Sequence, residues 1–190
     1  MGDVLAAAEE SFRDHFGHHP VRASVSFLGV EPIEVLRFEP IPDEWAYLTL
    51  GMSRRAMTAS DAVVQSHDGP RAELLLHVRQ SGGRFDDAWR QLAVLAAAPA
   101  VEGVVYVPDM TVDLGQPIAA GSRCTGVVLT ESVLDPVVVD GGVTQVLQVV
   151  PATSAELAWS RIHGTPALRG KWAEHHSDLL DLGRSAAPLD

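Results

Sequence analysis

The chain has 190 residues, 46% of them hydrophobic, enough for one substantial core and too apolar for a disordered segment. Fourteen basic against 25 acidic side chains leave a net charge of −11, and with no basic run to neutralise phosphates a nucleic-acid partner is excluded. No apolar stretch approaches the roughly 20 residues of a membrane span, the acidic start MGDVLAAAEESF lacks a leader's basic region, and the single cysteine, Cys124, cannot close an internal disulfide. A cytoplasmic protein is expected. Lys171 is the sole lysine beside 13 arginines, a bias from which a GC-rich genome, and a bacterial source, is expected.

Residues 3–16 are predicted to form a helix capped by Asp3, with Leu5, Ala8, Phe12 and Phe16 on one face, ended by His18-His19-Pro20. Val21, Ala23, Val25 and Phe27 alternate with Arg22, Ser24 and Ser26, the pattern of a half-buried strand. Further strands are predicted over Ile33–Phe38, Trp45–Met52 and Glu73–Arg79. Gly82-Gly83 precedes a helix over Phe85–Ala98, whose start suits Asp86 and Asp87. Residues 99–125 read as loop-rich, with short β pieces at Val104–Val107 and Met110–Leu114.

Gly126–Thr130 and Val137–Val139 read as strands, and Asp140-Gly141-Gly142 as a turn into the strand Val143–Val150. Pro151 is expected to end that strand. Thr153-Ser154-Ala155-Glu156 is a capping box, and Ala155, Ala158, Trp159 and Ile162 then fall on one apolar helix face. A last helix is expected from Thr165 as N-cap, with Pro166 at its first position and Gly183 at its end. This order implies an α+β fold, a mixed and largely antiparallel sheet with helices packed on it. One domain is expected over residues 1–183, with 184–190 as a flexible tail. Residues 53–72 and 108–125 form the longest loops, a length associated with function or mobility.

Catalytic chemistry is not encoded visibly. His15, His18 and His19 invite a metal reading, since His15 and His19 would stand at i and i+4 on a helix. Gly17 and Pro20 argue that the helix ends inside the cluster. Gly51-Met52-Ser53-Arg54-Arg55 lacks the second glycine of a nucleophile elbow, and Ser81-Gly82-Gly83 lacks the lysine of a phosphate loop. Cys124 follows Arg123, which could lower its pKa, but a lone cysteine in a β-rich segment reads as inert. Lys171 lies in a helix beside Trp172 and Glu174 with no support for a Schiff-base role, and the four tryptophans fall on element faces suited to the core. No catalytic residue, metal ligand or cofactor is assigned. Arg54-Arg55 stands at a strand end beside a long loop, and Asp68-Gly69-Pro70 is a turn by composition.

The run QVVPATSAELAW, followed by GTPAL, resembles the suppressor of fused (SUFU) family. So, in the same order along the chain, do Trp45–Ser53 (WAYLTLGMS), Asp68–Val78 (DGPRAELLLHV), the helix with an early tryptophan at Phe85–Ala98, and Gly126–Pro136 (GVVLTESVLDP). The resemblance implies action by binding. Animal members hold a short extended peptide of a transcription factor partly by β-strand addition, with help from an aspartate that Asp68 matches here. Their accompanying aromatic residues have no counterpart, since Arg54–Met57 reads RRAM, and their second domain is missing from this sequence. Single-domain bacterial relatives are found near secreted toxins and are thought to act as immunity proteins. The implied function is a non-enzymatic protein-binding domain that neutralises a toxin, with Asp68, Arg54 and Arg55 as partner-binding residues. Two alternatives stand beside it: a metal-dependent or hydrolytic enzyme using the His15–His19 cluster, and a homodimeric scaffold joined through an exposed sheet edge.

Overall fold

The computed structural model describes residues 3–61, 69–80, 85–140 and 142–190. Helix α1 (Val4–Phe16) begins where the Asp3 carboxylate accepts from the backbone N–H groups of Leu5 and Ala6, and ends at Gly17, whose left-handed conformation (φ 73°) closes it. Strands β1 (Val21–Phe27), β2 (Val30–Ile41) and β3 (Glu44–Leu50) follow as a meander. Then come β4 (Arg71–Arg79), α2 (Ala88–Glu102), β5 (Thr111–Asp113), β6 (Cys124–Glu131), β7 (Val137–Val139) and β8 (Gly142–Thr153). Helices α3 (Ser154–His163) and α4 (Thr165–Glu174) complete the order. No described helix is long and apolar enough to cross a membrane.

One eight-stranded sheet carries them all, in the order β1-β2-β3-β4-β8-β6-β5, with β7 also on β8. Among the described residues every pairing is antiparallel except β4 with β8, which runs from Arg71↔Thr144 to Leu76↔Val149. The long connection through α2 is what lets β8 return beside β4 in the same direction. The α+β architecture expected from the sequence, with its mixed and largely antiparallel sheet, is therefore present.

The period-2 alternation of the strands divides the core. Val35, Tyr47, Leu74, Leu76, Leu147 and Val149 face α2, which covers them with Leu92, Ala93 and Ala96. Leu36, Phe38, Leu48, Leu75 and Val146 face the other way, against Ala8 and Phe12 of α1. Farther along that second face, α3 and α4 lay Leu157, Leu168 and Trp172 on Val128 and Ala152. Gly126 permits this approach. A Cβ there would lie 2.1 Å from Leu157 Cδ1 and 2.7 Å from the Val112 carbonyl oxygen.

Several local expectations are corrected. Helix α2 starts three residues later than predicted and runs through Pro99 to Glu102. A proline there deprives the Leu95 carbonyl of its i+4 donor, and the Tyr106 hydroxyl supplies the bond instead at 2.9 Å. Val104–Val107 is not a strand. Likewise β8 continues through Pro151, which stands opposite Val127 of β6. The pairing with β4 has already stopped at Val149, so beyond it β8 has a free side where a missing N–H breaks no ladder. Gly164, not Thr165, caps α4, and α4 stops at Glu174, with irregular chain from there to Gly183.

The largest difference is the rotation of α3. Of its predicted apolar face, Ala155, Ala158 and Ile162 point outward, with Ile162 80% exposed, and Trp159 alone is half-buried against the core, while Glu156, Leu157 and Ser160 point in. A buried carboxylate explains this. Glu156 accepts from the Thr153 N–H (2.8 Å), the Trp172 indole (2.8 Å), the Ala187 N–H (3.0 Å) and both Arg184 amino groups (2.6 and 3.0 Å). The segment 184–190, expected as a flexible tail, contains no helix or strand, but it is docked here through Arg184 and Ala187, both mostly buried.

Candidate functional site

The site is built on Glu73, a residue to which the sequence attached no role. It is the third residue of β4 and fully buried. One carboxylate oxygen accepts from the Gly51 N–H (2.8 Å), the Ser53 N–H (3.0 Å) and the Ser53 hydroxyl (2.7 Å). The other accepts from the Thr49 hydroxyl at 2.6 Å, and Thr49 in turn accepts from the Leu74 N–H. Four donors on one carboxylate pull the chain after β3 into the 3₁₀ turn Met52–Arg54. Gly51 enters that turn at φ 133°, a conformation that favours glycine, and a Cβ on it would meet the Arg54 guanidinium at 2.7 Å.

The turn presents two arginines. Arg54 donates to the Pro32 carbonyl (2.5 Å), which anchors it to β2, while Arg71 beneath it donates to the Ser53 and Arg54 carbonyls (2.8 and 2.7 Å). Arg55 is the outward one: its side chain is 73% exposed, and Glu31 stands 3.9 Å away. Beside the pair runs a cleft of about 440 Å³. Its walls are Gly29–Glu31 and the arginine turn on one side and the C-terminal end of α2 on the other. Ile33, Met52, Met57 and Ala96 supply apolar lining. The strip 56–60 crosses it, tied at one end by Met57 N–H to Pro70 (2.8 Å) and at the other by Ser60 N–H to Gly103 (2.9 Å). A second cleft of about 530 Å³ opens on the far side of Met57 and Arg71, between Tyr106, Val133 and Gln145.

Of the residues singled out from the sequence, Arg54 and Arg55 therefore meet in one cleft, and Asp68 lies outside the described residues. Asp68 precedes by two residues the Pro70 carbonyl that holds Met57. The elbow-like serine is spent on structure, since Ser53 is fully buried and its hydroxyl is committed to Glu73. Burial raises the Cys124 thiol to about 11, far from a nucleophile's range. Helix α1 ends at Phe16, so His15 and His19 are not helical i, i+4 neighbours. His18 instead links two elements, with one ring nitrogen on the Phe16 carbonyl and the other accepting from the Glu39 N–H. No described group of three histidine, cysteine or acidic residues is arranged to hold a metal. Burial lowers the pKa of His77, against an opposing pull from Glu44 3.3 Å away.

The fold has solved counterparts. A suppressor of fused homolog from Neisseria gonorrhoeae superposes with a TM-score of 0.72 at 16% identity, covering 99% of this chain and 98% of that one. Drosophila Suppressor of Fused gives 0.71 at 13%, with 95% of this chain matched to half of the longer fly protein. A chain of the Sufu–Fu complex gives 0.70 at 12%, covering 95% of this chain and 90% of that one. No curated protein matches the sequence. The model of the suppressor of fused protein family spans residues 29–185, from the tip of the β1–β2 hairpin to the docked segment that carries Arg184. With most of its length and every strand from β2 onward accounted for in this way, the chain belongs to the suppressor of fused (SUFU) family.

Proposed function

We propose that the chain is a non-enzymatic protein-binding domain that takes an extended segment of its partner into the cleft beside Arg54 and Arg55. Neutralisation of a bacterial toxin, as an immunity protein, is its most concrete form. The observation that carries the reading is the rigid presentation of the arginine turn. Glu73, Arg71 and the Pro32 carbonyl hold the backbone and Arg54 in place, leaving Arg55 exposed beside Glu31 at the rim of a trough that Ile33, Met52, Met57 and Ala96 line in part. A preorganised donor above apolar lining suits a peptide whose side chains fill the trough while its carbonyls or carboxylates face the guanidinium. Asp68, which matches the family's binding aspartate, is the second residue proposed to contact the partner. The net charge of −11 elsewhere on the chain would speed the approach of a basic partner. One relative was solved as the Sufu–Fu complex, a precedent for protein binding in the fold.

The test is a pull-down from the native host with tagged protein, beside Arg55→Glu and Asp68→Arg variants. Capture of one partner by the parent chain, lost or at least tenfold weaker in both variants, is the expected result. Undiminished capture by both variants rejects this cleft as the site. Turnover of a small-molecule substrate by the purified chain overturns the non-enzymatic reading altogether.

A further inference from the structure

Beneath the start of α2 the pairing registers set a row of side chains across three strands. Val21 of β1 stands opposite Arg37 of β2, and Arg37 opposite Tyr47 of β3, so the three share the face that carries α2. Together with Val35, Asp86 and Trp89 they line a cleft of about 90 Å³. Tyr47 is 2% exposed, and its hydroxyl has no hydrogen-bond partner. Buried hydroxyls are nearly always bonded, and one that is not marks a place for an acceptor. Burial raises this phenol well above its usual range, against the pull of nearby Arg37, so it stays a neutral donor. Arg37 is half-buried and stacked over the Trp45 ring, 4.3 Å from its centroid. Stacking fixes the guanidinium plane and leaves its edge free for a planar acceptor. Among the described residues no carboxylate pairs with Arg37, although acidic side chains outnumber basic ones by 25 to 14. Arg22, the other cation of the cleft, is turned away to Glu9 and Glu34. Asp86 is exposed, and among the described residues no cation pairs with it either.

We infer that this cleft binds the head group of a free α-amino acid with a short aliphatic side chain. Buried Tyr47 and Val35 form the floor, and exposed Val21 and Asp86 the mouth. The ligand carboxylate lies on the floor, bidentate to the edge of Arg37 and accepting from the Tyr47 hydroxyl. The ammonium, one carbon away, sits at the mouth and donates to Asp86, while the side chain rests against Val21 and Trp89. Donors at the floor and an acceptor at the mouth thus each gain a partner of the opposite kind. A plain carboxylate or a plain amine satisfies only one of the two, and a phosphate brings more negative charge toward Asp86 with no ammonium to offset it. The size agrees. Pockets for drug-sized ligands run to about 300–1,000 Å³, whereas about 90 Å³ is room for about three water-sized groups, enough for a carboxylate and its α carbon. No lining residue is shared with the Arg54–Arg55 cleft, so the inference is independent of the function proposed for that site.

The experiment is titration of the full chain with L-alanine to about 10 mM, tenfold above a Kd of about 1 mM. Tryptophan fluorescence reads it, since Trp89 lines the cleft and Trp45 backs Arg37. Propionate, which lacks the ammonium, and ethylamine, which lacks the carboxylate, are titrated in parallel. The expected result is a saturable response to L-alanine, at least tenfold weaker affinity for propionate, and no response to ethylamine. Tyr47→Phe removes one oxygen and keeps the ring. It is expected to leave the Tm of the free chain unchanged or raised, because the hydroxyl has no bond there to lose, and to weaken alanine binding at least tenfold. Arg37→Lys keeps the charge, loses the fork, and should weaken binding as much. Asp86→Asn should erase the preference for alanine over propionate. Absence of a saturable response to L-alanine overturns the inference. So does undiminished binding by Tyr47→Phe, or propionate bound by the parent chain as tightly as L-alanine.

Discussion

Replacing Glu156 by glutamine tests the account of how the C-terminal third is held. The side chain keeps its volume, but the charge is lost, and one of its two acceptor atoms becomes an amino group. The orientation that preserves most bonds keeps oxygen toward Trp172, Ala187 and Arg184 Nη1, and sets the amino group against the Thr153 N–H and Arg184 Nη2. Arg184, 8% exposed, is then a buried cation without its carboxylate. Breaking one side of a buried ion pair costs about 3–5 kcal/mol. The same loss is expected for Arg184→Met, since it strands the carboxylate. The double variant strands neither charge, so it should be less damaging than the two singles summed, by about 2 kcal/mol. Urea unfolding followed by tryptophan fluorescence measures all three, because Trp172 sits on the node. A Glu156→Gln cost below about 1 kcal/mol, or additivity within about 0.5 kcal/mol, would refute the reasoning. The pH dependence has a definite sign. Burial alone would raise the Glu156 carboxyl, but Arg184 and the N–H groups of Thr153 and Ala187 bring it below the usual carboxylate range. The folded value lies under the unfolded one, so this contribution is complete above about pH 5 and is lost as pH falls through the folded value. Glu156→Gln should therefore flatten the acid limb of the stability curve.

Two further substitutions probe the site and the helix packing. Glu73→Ala leaves the buried N–H groups of Gly51 and Ser53 without an acceptor and should cost about 3–5 kcal/mol by chemical denaturation, with Glu73→Gln nearer 2; equal stability of both variants to the parent would show that the carboxylate does not hold the turn. Gly126→Ala places a methyl group on Leu157 and against the Val112 carbonyl, and should destabilise by about 1–3 kcal/mol with α3 displaced from β6, whereas a change under about 0.5 kcal/mol would mean the helix moves freely.

Much of the fold was legible because it is written in short-range patterns. Alternation marks β1, the apolar run Leu74-Leu75-Leu76 marks the buried β4, and the asparate and threonine caps mark the starts of α1 and α3. In the candidate cleft, Arg54 and Arg55 could be placed from the sequence at a strand end, which is where the structure puts them. Glu73 was not. In sequence it is one polar residue at the head of an apolar strand, and its donors come from Thr49, Gly51 and Ser53, about twenty residues away on the neighbouring strand and turn.

The same division runs through both prolines and α3. Pro151 and Pro99 read locally as terminators, but each terminates only where its missing N–H leaves an acceptor unserved or a ladder broken. The early end of the β4–β8 pairing and the hydroxyl of Tyr106 remove that penalty. In α3 the local pattern favoured burying Ala155, Ala158, Trp159 and Ile162, yet only Trp159 is half-buried and the helix buries Glu156 instead. Sequence alone marked most of the helices and strands, because those preferences depend on neighbours within about four residues, but it also read a β piece at Val104–Val107 and a helix beyond Glu174 that the structure does not contain. Only the tertiary structure decided which face of α3 turns inward, because a carboxylate can be buried only where distant groups meet it, here Trp172, Arg184 and Ala187.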